Sequence, residues 1–220
     1  SRDGHHAYTV HITGDDTYKS TVFQWYIDNA WETENMSLTG KYLDITDLQD
    51  DIDYISFVWF KDDGTKMWIG SYLNDQIWAF DIATPFDIST ATYANETFYV
   101  GSQETGPRHM FIGDSGSKLY VIGTTGDDIT EYSLSTAYDI STATHVTQVT
   151  VASTNTMGIT FDNTGAYVYL VDYTTDLIYR YTLTTAWDLS TLDTGTVQSV
   201  TARYQVGTST YLDERTPYGL

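Results

Sequence analysis

Apolar residues recur along the chain in runs of four to seven, rich in aromatic and β-branched types and separated by turns built on Gly, Asp, Asn and Ser. Runs of that length and make-up predict strands rather than helical turns. Three stretches repeat one template: Phe60–Ile69, Phe111–Val121 and Phe161–Leu170 each carry a Phe, a polar turn ending in Gly, and an apolar run. A second run starts 13 residues after each of Gly64, Gly116 and Gly165, at Ile77, Ile129 and Ile178, which predicts a hairpin of fixed length. Each run then passes into Pro85–Thr90, Ala137–Thr142 or Ala186–Thr191, where an aromatic residue and an Asp precede an apolar residue and Ser-Thr.

The glycines lie 52 and 49 residues apart, so one unit is long enough for four short strands. The first strand is expected to end at the Phe, over Tyr54–Phe60, His109–Phe111 and Met157–Phe161. The second follows the Gly, the third follows the next turn, and the fourth includes Thr97–Val100, Val146–Val151 and Thr196–Thr201. The second strand is apolar on both faces, with Met67 and Ile69 opposite Trp68, and Leu119 and Val121 opposite Tyr120 and Ile122. A small antiparallel sheet normally keeps one face wet. Sheets buried on both faces, each of four strands, are what the stacked blades of a propeller require.

A degenerate first unit precedes these three. Val22–Ile27 followed by Ala30–Glu34 matches a third strand and its exit, Asp3-Gly4 corresponds to Asp63-Gly64, Ala7–Thr13 to a second strand, and Ser37–Ile45 to a fourth. No run matches its first strand. The tail segment Thr208–Asp213 resembles Gly158–Asp162, and a sheet lacking an edge strand leaves unpaired N–H and C=O groups. The tail is therefore expected to complete the first sheet, in its own chain or in a neighbouring copy. The fold expected is all-β, a single repeat domain over residues 1–220 forming a small propeller or an open arc. Its units span approximately 3–50, 51–101, 102–152 and 153–203, with a closing or donor strand within 204–220.

Composition narrows the partners. At 220 residues and 41% hydrophobic content the chain can build a core, even though 30 Asp and Glu against 10 Lys and Arg leave a formal charge of −20. A surface of that sign repels phosphate backbones, so nucleic acid is not an expected partner. No apolar run approaches the roughly 18 to 20 residues that span a bilayer, and membrane insertion is not expected. The absence of cysteine excludes disulfides, thiolate metal sites and cysteine nucleophiles.

Each candidate for chemistry has a structural reading beside it. Asp87, Asp139 and Asp188 recur once per unit, and a short carboxylate there organises a turn by accepting backbone N–H groups; Glu32, at the same point of the first unit, is longer and suits the turn less well. Trp31, Phe86, Tyr138 and Trp187 stand just before these acids; exposed rings would stack on sugars, whereas packed ones anchor the loop, the reading their recurrence favours. Asp44, Asp47, Asp50, Asp51 and Asp53 offer oxygen ligands for calcium but lack EF-hand spacing and read as a solvated connector. His5, His6 and His11 fit no metal-binding spacing, and His109 beside Arg108 is either a channel-lining or a structural histidine. No phosphate loop, nucleophile elbow or paired-His helix is present. No catalytic residue, metal site or cofactor is expected.

Stretches such as Gly64–Gly70 and Gly126–Thr144 resemble tandem propeller-type repeats of tailed-phage and marine microbial surface proteins and, more distantly, lactonase-like propeller repeats. The likeness covers residues 52–201 well and 3–46 weakly. Lactonase-like enzymes hold a metal with acidic, Asn and His side chains on their innermost strands, where this chain offers Ser56, His109 and Gly158 without a shared ligand pattern. The first resemblance implies a non-enzymatic structural and interaction protein on a virion surface, such as a head fibre, decoration or tail protein. Its partners would be other copies or surface proteins, or a glycan. The alternatives are a secreted microbial surface or filament subunit assembled by strand donation, and a lactonase-like or glycan-processing hydrolase.

Overall fold

A computed structural model describes residues 4–11, 20–45, 52, 54–201, 203–206 and 210–213. The fold is all-β, built of antiparallel meander sheets of the propeller-blade type. The first sheet has three strands, β1 (His6–His11), β2 (Thr21–Ile27) and β3 (Met36–Asp44). The second has four, β4 (Ile55–Phe60), β5 (Lys66–Ser71), β6 (Gln76–Ile82) and β7 (Ala91–Tyr99). The third runs β8 (Pro107–Gly113), β9 (Lys118–Gly123), β10 (Asp128–Leu134) and β11 (Ala143–Thr150). The fourth comprises β12 (Thr156–Phe161), β13 (Tyr167–Asp172), β14 (Leu177–Leu183) and β15 (Leu192–Thr201). The chain forms two compact units, Ser1–Tyr99 and Val100–Leu220, each containing two of these sheets.

The recurring Gly, aromatic and Asp are parts of one turn. Gly64, Gly116 and Gly165 adopt φ of +70°, +93° and +72°, and their carbonyls accept the N–H of Phe86, Tyr138 and Trp187 at 3.0, 2.9 and 3.0 Å. The rings lie flat on these glycines, occupying the space a Cβ would need. The next residue, Asp87, Asp139 or Asp188, caps a 3-10 turn by accepting from the backbone N–H of Ser89, Ser141 or Ser190 at 3.0–3.1 Å and from its hydroxyl at 2.6 Å. The carboxylates are turn caps and the rings are loop anchors. In the first sheet Trp31 covers Gly4 in the same way, but Glu32 makes no capping bond and takes the amides of Asn29 and Asn35 instead.

Three expectations about register need correction. Counted from the glycine, Phe60 and Phe161 pair with Met67 and Val168, whereas in the third sheet Ile112 holds that place opposite Leu119. Phe111 pairs with Tyr120 one residue earlier, and because side chains alternate along a strand it projects from the other face. Every first strand also carries a bulge, so the residue equivalent to His109 and Gly158 is Phe57, not Ser56. The tail of its own chain does not complete the first sheet: β17 (Thr210–Asp213) is extended but pairs with β16 (Arg203–Val206) as a two-stranded hairpin. Closing a hairpin of a few residues costs far less chain entropy than joining strands two hundred residues apart.

Within each unit, one sheet lays its face on the next. In the first unit, Tyr8, Val10, Val22 and Leu43 pack on Phe60, Met67, Ile69 and Phe80 of the second sheet. In the second unit, Tyr120, Ile122 and Ile129 pack in the same way on Phe161, Val168, Leu170 and Tyr181. That packing buries Met67 and Ile69 on one face of β5; Trp68 on its other face is fully buried as well, so the strand reads as apolar on both faces.

Replacing Asp188 by Ala should cost about 1 kcal/mol, the usual worth of a capping carboxylate. Gly165→Ala should cost more, about 2 kcal/mol, because it forces a side chain into the left-handed region and into the Trp187 ring. Urea denaturation of both variants measures the two costs, and equal stability of G165A and the parent would refute this account of the turn.

Candidate functional site

The faces where sheets meet carry the polar side chains that matter. Four residues beyond the turn glycine stand Tyr8, Trp68, Tyr120 and Tyr169, and cross-strand from them Gln24, Ala79, Glu131 and Arg180. In the first unit the Tyr8 hydroxyl donates to the Phe86 carbonyl at 2.7 Å, and Gln24 Oε1 accepts the Ile88 N–H at 3.1 Å. In the second unit Tyr120 donates to the Trp187 carbonyl at 2.6 Å, and Glu131 Oε2 accepts the Leu189 N–H at 2.8 Å. Each joint thus grips the capped loop of the following sheet at two backbone atoms. Burial, with Glu131 nearby, pushes the Tyr120 hydroxyl far above its ordinary range, so it stays a donor. Glu131 is fully buried, and its other oxygen pairs with Lys118.

The fourth sheet presents the same columns, and among the described residues no following sheet is packed on them. Thr160, Tyr169, Ile178, Arg180, Gln198, Ser199 and Val200 line a groove of about 530 Å³ there. Val200 is 61% exposed. Arg180 stacks over the Tyr167 ring, 4.9 Å from its centroid, and donates one N–H to Gln198 Oε1. A guanidinium has five such donors, and among the described residues Arg180 has no carboxylate partner. The Tyr169 hydroxyl likewise makes no hydrogen bond among the described residues, although its equivalents Tyr8 and Tyr120 do. Such a surface can bind a partner through apolar contact and a planar cation.

The residues singled out in the sequence are dispersed. His5 Nδ1 lies 2.9 Å from the Ile27 carbonyl, His6 stacks near Phe86, and His11 meets Phe23 edge-on, so the three do not converge. Asp44 ends β3, whereas Asp47, Asp50, Asp51 and Asp53 lie outside the described residues. Among the described residues no group of three or more His, Cys, Asp or Glu is arranged to hold a metal ion, and no helix is long and apolar enough to cross a membrane. His109 lies on β8 with little of its surface exposed, and burial pushes its imidazole down to about 4. Sequence reasoning passed over Asp172. It is fully buried at the end of β13 and accepts from Ser153 Oγ at 2.6 Å and from the N–H groups of Thr154, Asn155, Thr174 and Thr175. Burial opposes its ionisation, but these bonds win and hold its pKa below the ordinary value. It is a structural knot, and nothing in its sequence context distinguishes it from a turn Asp.

No protein-family model matches the chain, and no curated protein matches it by sequence. Solved structures do. A candidate 6-phosphogluconolactonase from Bacteroides fragilis aligns with a TM-score of 0.58 at 17% identity, covering 90% of this chain and 69% of its own. The periplasmic gluconolactonase PpgL of Pseudomonas aeruginosa aligns at 0.52 and 16%, over 87% and 53%. A protein of unknown function from Desulfotomaculum acetoxidans aligns at 0.54 and 14%, over 86% and 52%. The chain therefore spans about half to two thirds of the length of these structures. At such identities the likeness establishes the fold, a lactonase-like β-propeller architecture, and no activity.

Two consequences can be measured. With His109 near 4 when folded and near 6.5 when unfolded, only the unfolded chain takes up that proton between these values. Stability should fall as pH drops from 6.5 to 4, and His109→Gln should flatten that part of the curve in urea titrations at stepped pH; an unchanged slope would refute the assignment. Glu131→Ala strands a buried N–H and Lys118 and should cost about 3 kcal/mol, whereas Glu131→Gln keeps the acceptor that Gln24 supplies in the other unit and should cost about 1 kcal/mol. Equal losses for the two variants would argue against the shared joint.

Proposed function

We propose that the chain is a structural and interaction protein that performs no chemistry of its own, displayed on the outside of a virion as a head fibre, decoration or tail protein. The observation that supports an interaction role is the open face of the fourth sheet, where Tyr169, Arg180 and Gln198 offer donors beside exposed apolar side chains. At the inner-strand level where lactonase-like propellers hold a metal, this chain has Phe57, His109 and Gly158, which supply one ligand-type side chain between them. The virion setting is supported by the resemblance of the repeats to phage surface proteins. A strongly acidic exterior suits a particle surface that must stay dispersed.

A hydrolase reading draws support from the fold likeness to the gluconolactonase of Pseudomonas aeruginosa. Two experiments separate the readings. Antibody raised against the chain and visualised with gold in the electron microscope should decorate the exterior of virions in host lysates; label confined to the soluble fraction would overturn the location. Incubation with gluconolactones, with and without added divalent metal, should give hydrolysis no faster than the spontaneous rate. Turnover above that rate would replace the proposal with the enzymatic one.

A further inference from the structure

The first sheet exposes the face that its counterparts bury. Trp25 occupies the position of Phe80 and Tyr181, both fully buried under a preceding sheet, yet keeps part of its ring exposed. Leu38 and Tyr42 beside it are 51% and 60% exposed. Trp31, equivalent to Phe86 and Trp187, is 70% exposed, whereas Trp187 stacks on Phe111 of the preceding sheet at 6.2 Å. The fourth sheet, in turn, exposes the face that Tyr8 and Tyr120 form elsewhere. Among the described residues one chain therefore carries both halves of a sheet-on-sheet joint, each exposed.

The polar groups at these two faces are complementary to each other. In the first unit the gripping face consists of an amide and a cation, Gln24 and Lys41, and Lys41 reaches the cap Asp87 of the next sheet at 2.6 Å. At the same cross-strand pair of positions the fourth sheet has Arg180 and Gln198, again one cation and one amide, exchanged between strands. The cap position of the first sheet is Glu32, longer than the Asp of every other sheet and not engaged in capping. Arg180 is free to reach such a carboxylate, and the Tyr169 hydroxyl is placed to donate to the Trp31 carbonyl as Tyr8 and Tyr120 donate to those of Phe86 and Trp187.

We infer that the fourth sheet of one copy docks on the first sheet of a second copy, head to tail, reproducing between chains the joint each unit contains. The inference deepens the interaction role proposed above by naming the partner and the surface. The Arg180–Glu32 contact gives the joint a polarity that the internal joints, built on an acceptor at the Arg180 position, do not share. A contact between two different faces repeats until it closes a ring or extends as a chain.

Sedimentation of the 220-residue chain across a range of concentrations tests this. Association should be concentration-dependent, and Arg180→Glu or Glu32→Lys alone should weaken it at least tenfold, because each places like charges at the joint. An equimolar mixture of the two variants should recover it: the altered faces then oppose unlike charges, and the unaltered pair is native. Tyr169→Phe, which leaves charge and core untouched, should weaken association severalfold, and circular dichroism verifies that every variant is folded. A chain that stays monomeric at all concentrations, or a mixture no better than its components, overturns the inference. Recovery on mixing cannot come from strand donation or from a further stretch of the same polypeptide. Particle labelling and lactone turnover are read independently, so failure here is distinguishable from failure of the proposed function.

Discussion

The structure depends on a two-point grip between neighbouring sheets: a tyrosine hydroxyl on a backbone carbonyl, and a buried side-chain oxygen on the N–H two residues later. Tyr8 with Gln24 and Tyr120 with Glu131 hold Phe86–Ile88 and Trp187–Leu189 in this way. The grip works because the loop it seizes is already rigid. An aromatic residue at positive φ lies on a glycine, and the following Asp caps a 3-10 turn, so the C=O and N–H stand at fixed positions before the sheets meet. Apolar burial drives the faces together without choosing a register; the paired hydrogen bonds choose it, since leaving either buried partner unsatisfied costs more than the bond contributes.

Electrostatics follows the same plan. With only 10 basic side chains against 30 acidic ones, the placement of each cation is informative. Lys41 reaches the loop cap Asp87, while Lys66 reaches Glu96 and Lys118 reaches Glu131 on their own sheets, so three lysines are committed to specific carboxylates. These pairs are partly withdrawn from water, where Coulomb attraction is less screened. Among the described residues Glu104, Asp128 and Asp172 are buried acids as well, and acids far outnumber bases in the chain as a whole. Arg180 stands apart as a cation on a sheet face with a ring beneath it and, among the described residues, no carboxylate before it.

Much of the architecture was legible in the chain because the repeat carries its own punctuation. The Gly, the aromatic residue and the Asp-x-Ser-Thr stretch each have one conformation they suit, and their constant spacing delivered the four-strand unit and the structural role of Asp87, Asp139 and Asp188. Alignment by residue type alone misplaced Phe111 and Ser56, because a one-residue slip or a bulge moves a side chain to the opposite face while leaving the composition unchanged. The extended character of the tail was likewise readable, but its partner was not: β17 has the pattern of a strand, and any open edge, near or far, satisfies a strand.

The candidate site was the least legible part. Tyr169 and Arg180 look like ordinary strand residues, and their meaning appears only when the equivalents Tyr8, Tyr120, Gln24 and Glu131 are seen engaged on a following sheet. By itself the sequence determined the strands, the turns and the repeat, because these rest on local backbone preferences and on periodicity within a few residues. The tertiary structure alone decided which faces meet within each unit and which buried oxygens accept which N–H groups, because those depend on residues 58 to 78 positions apart.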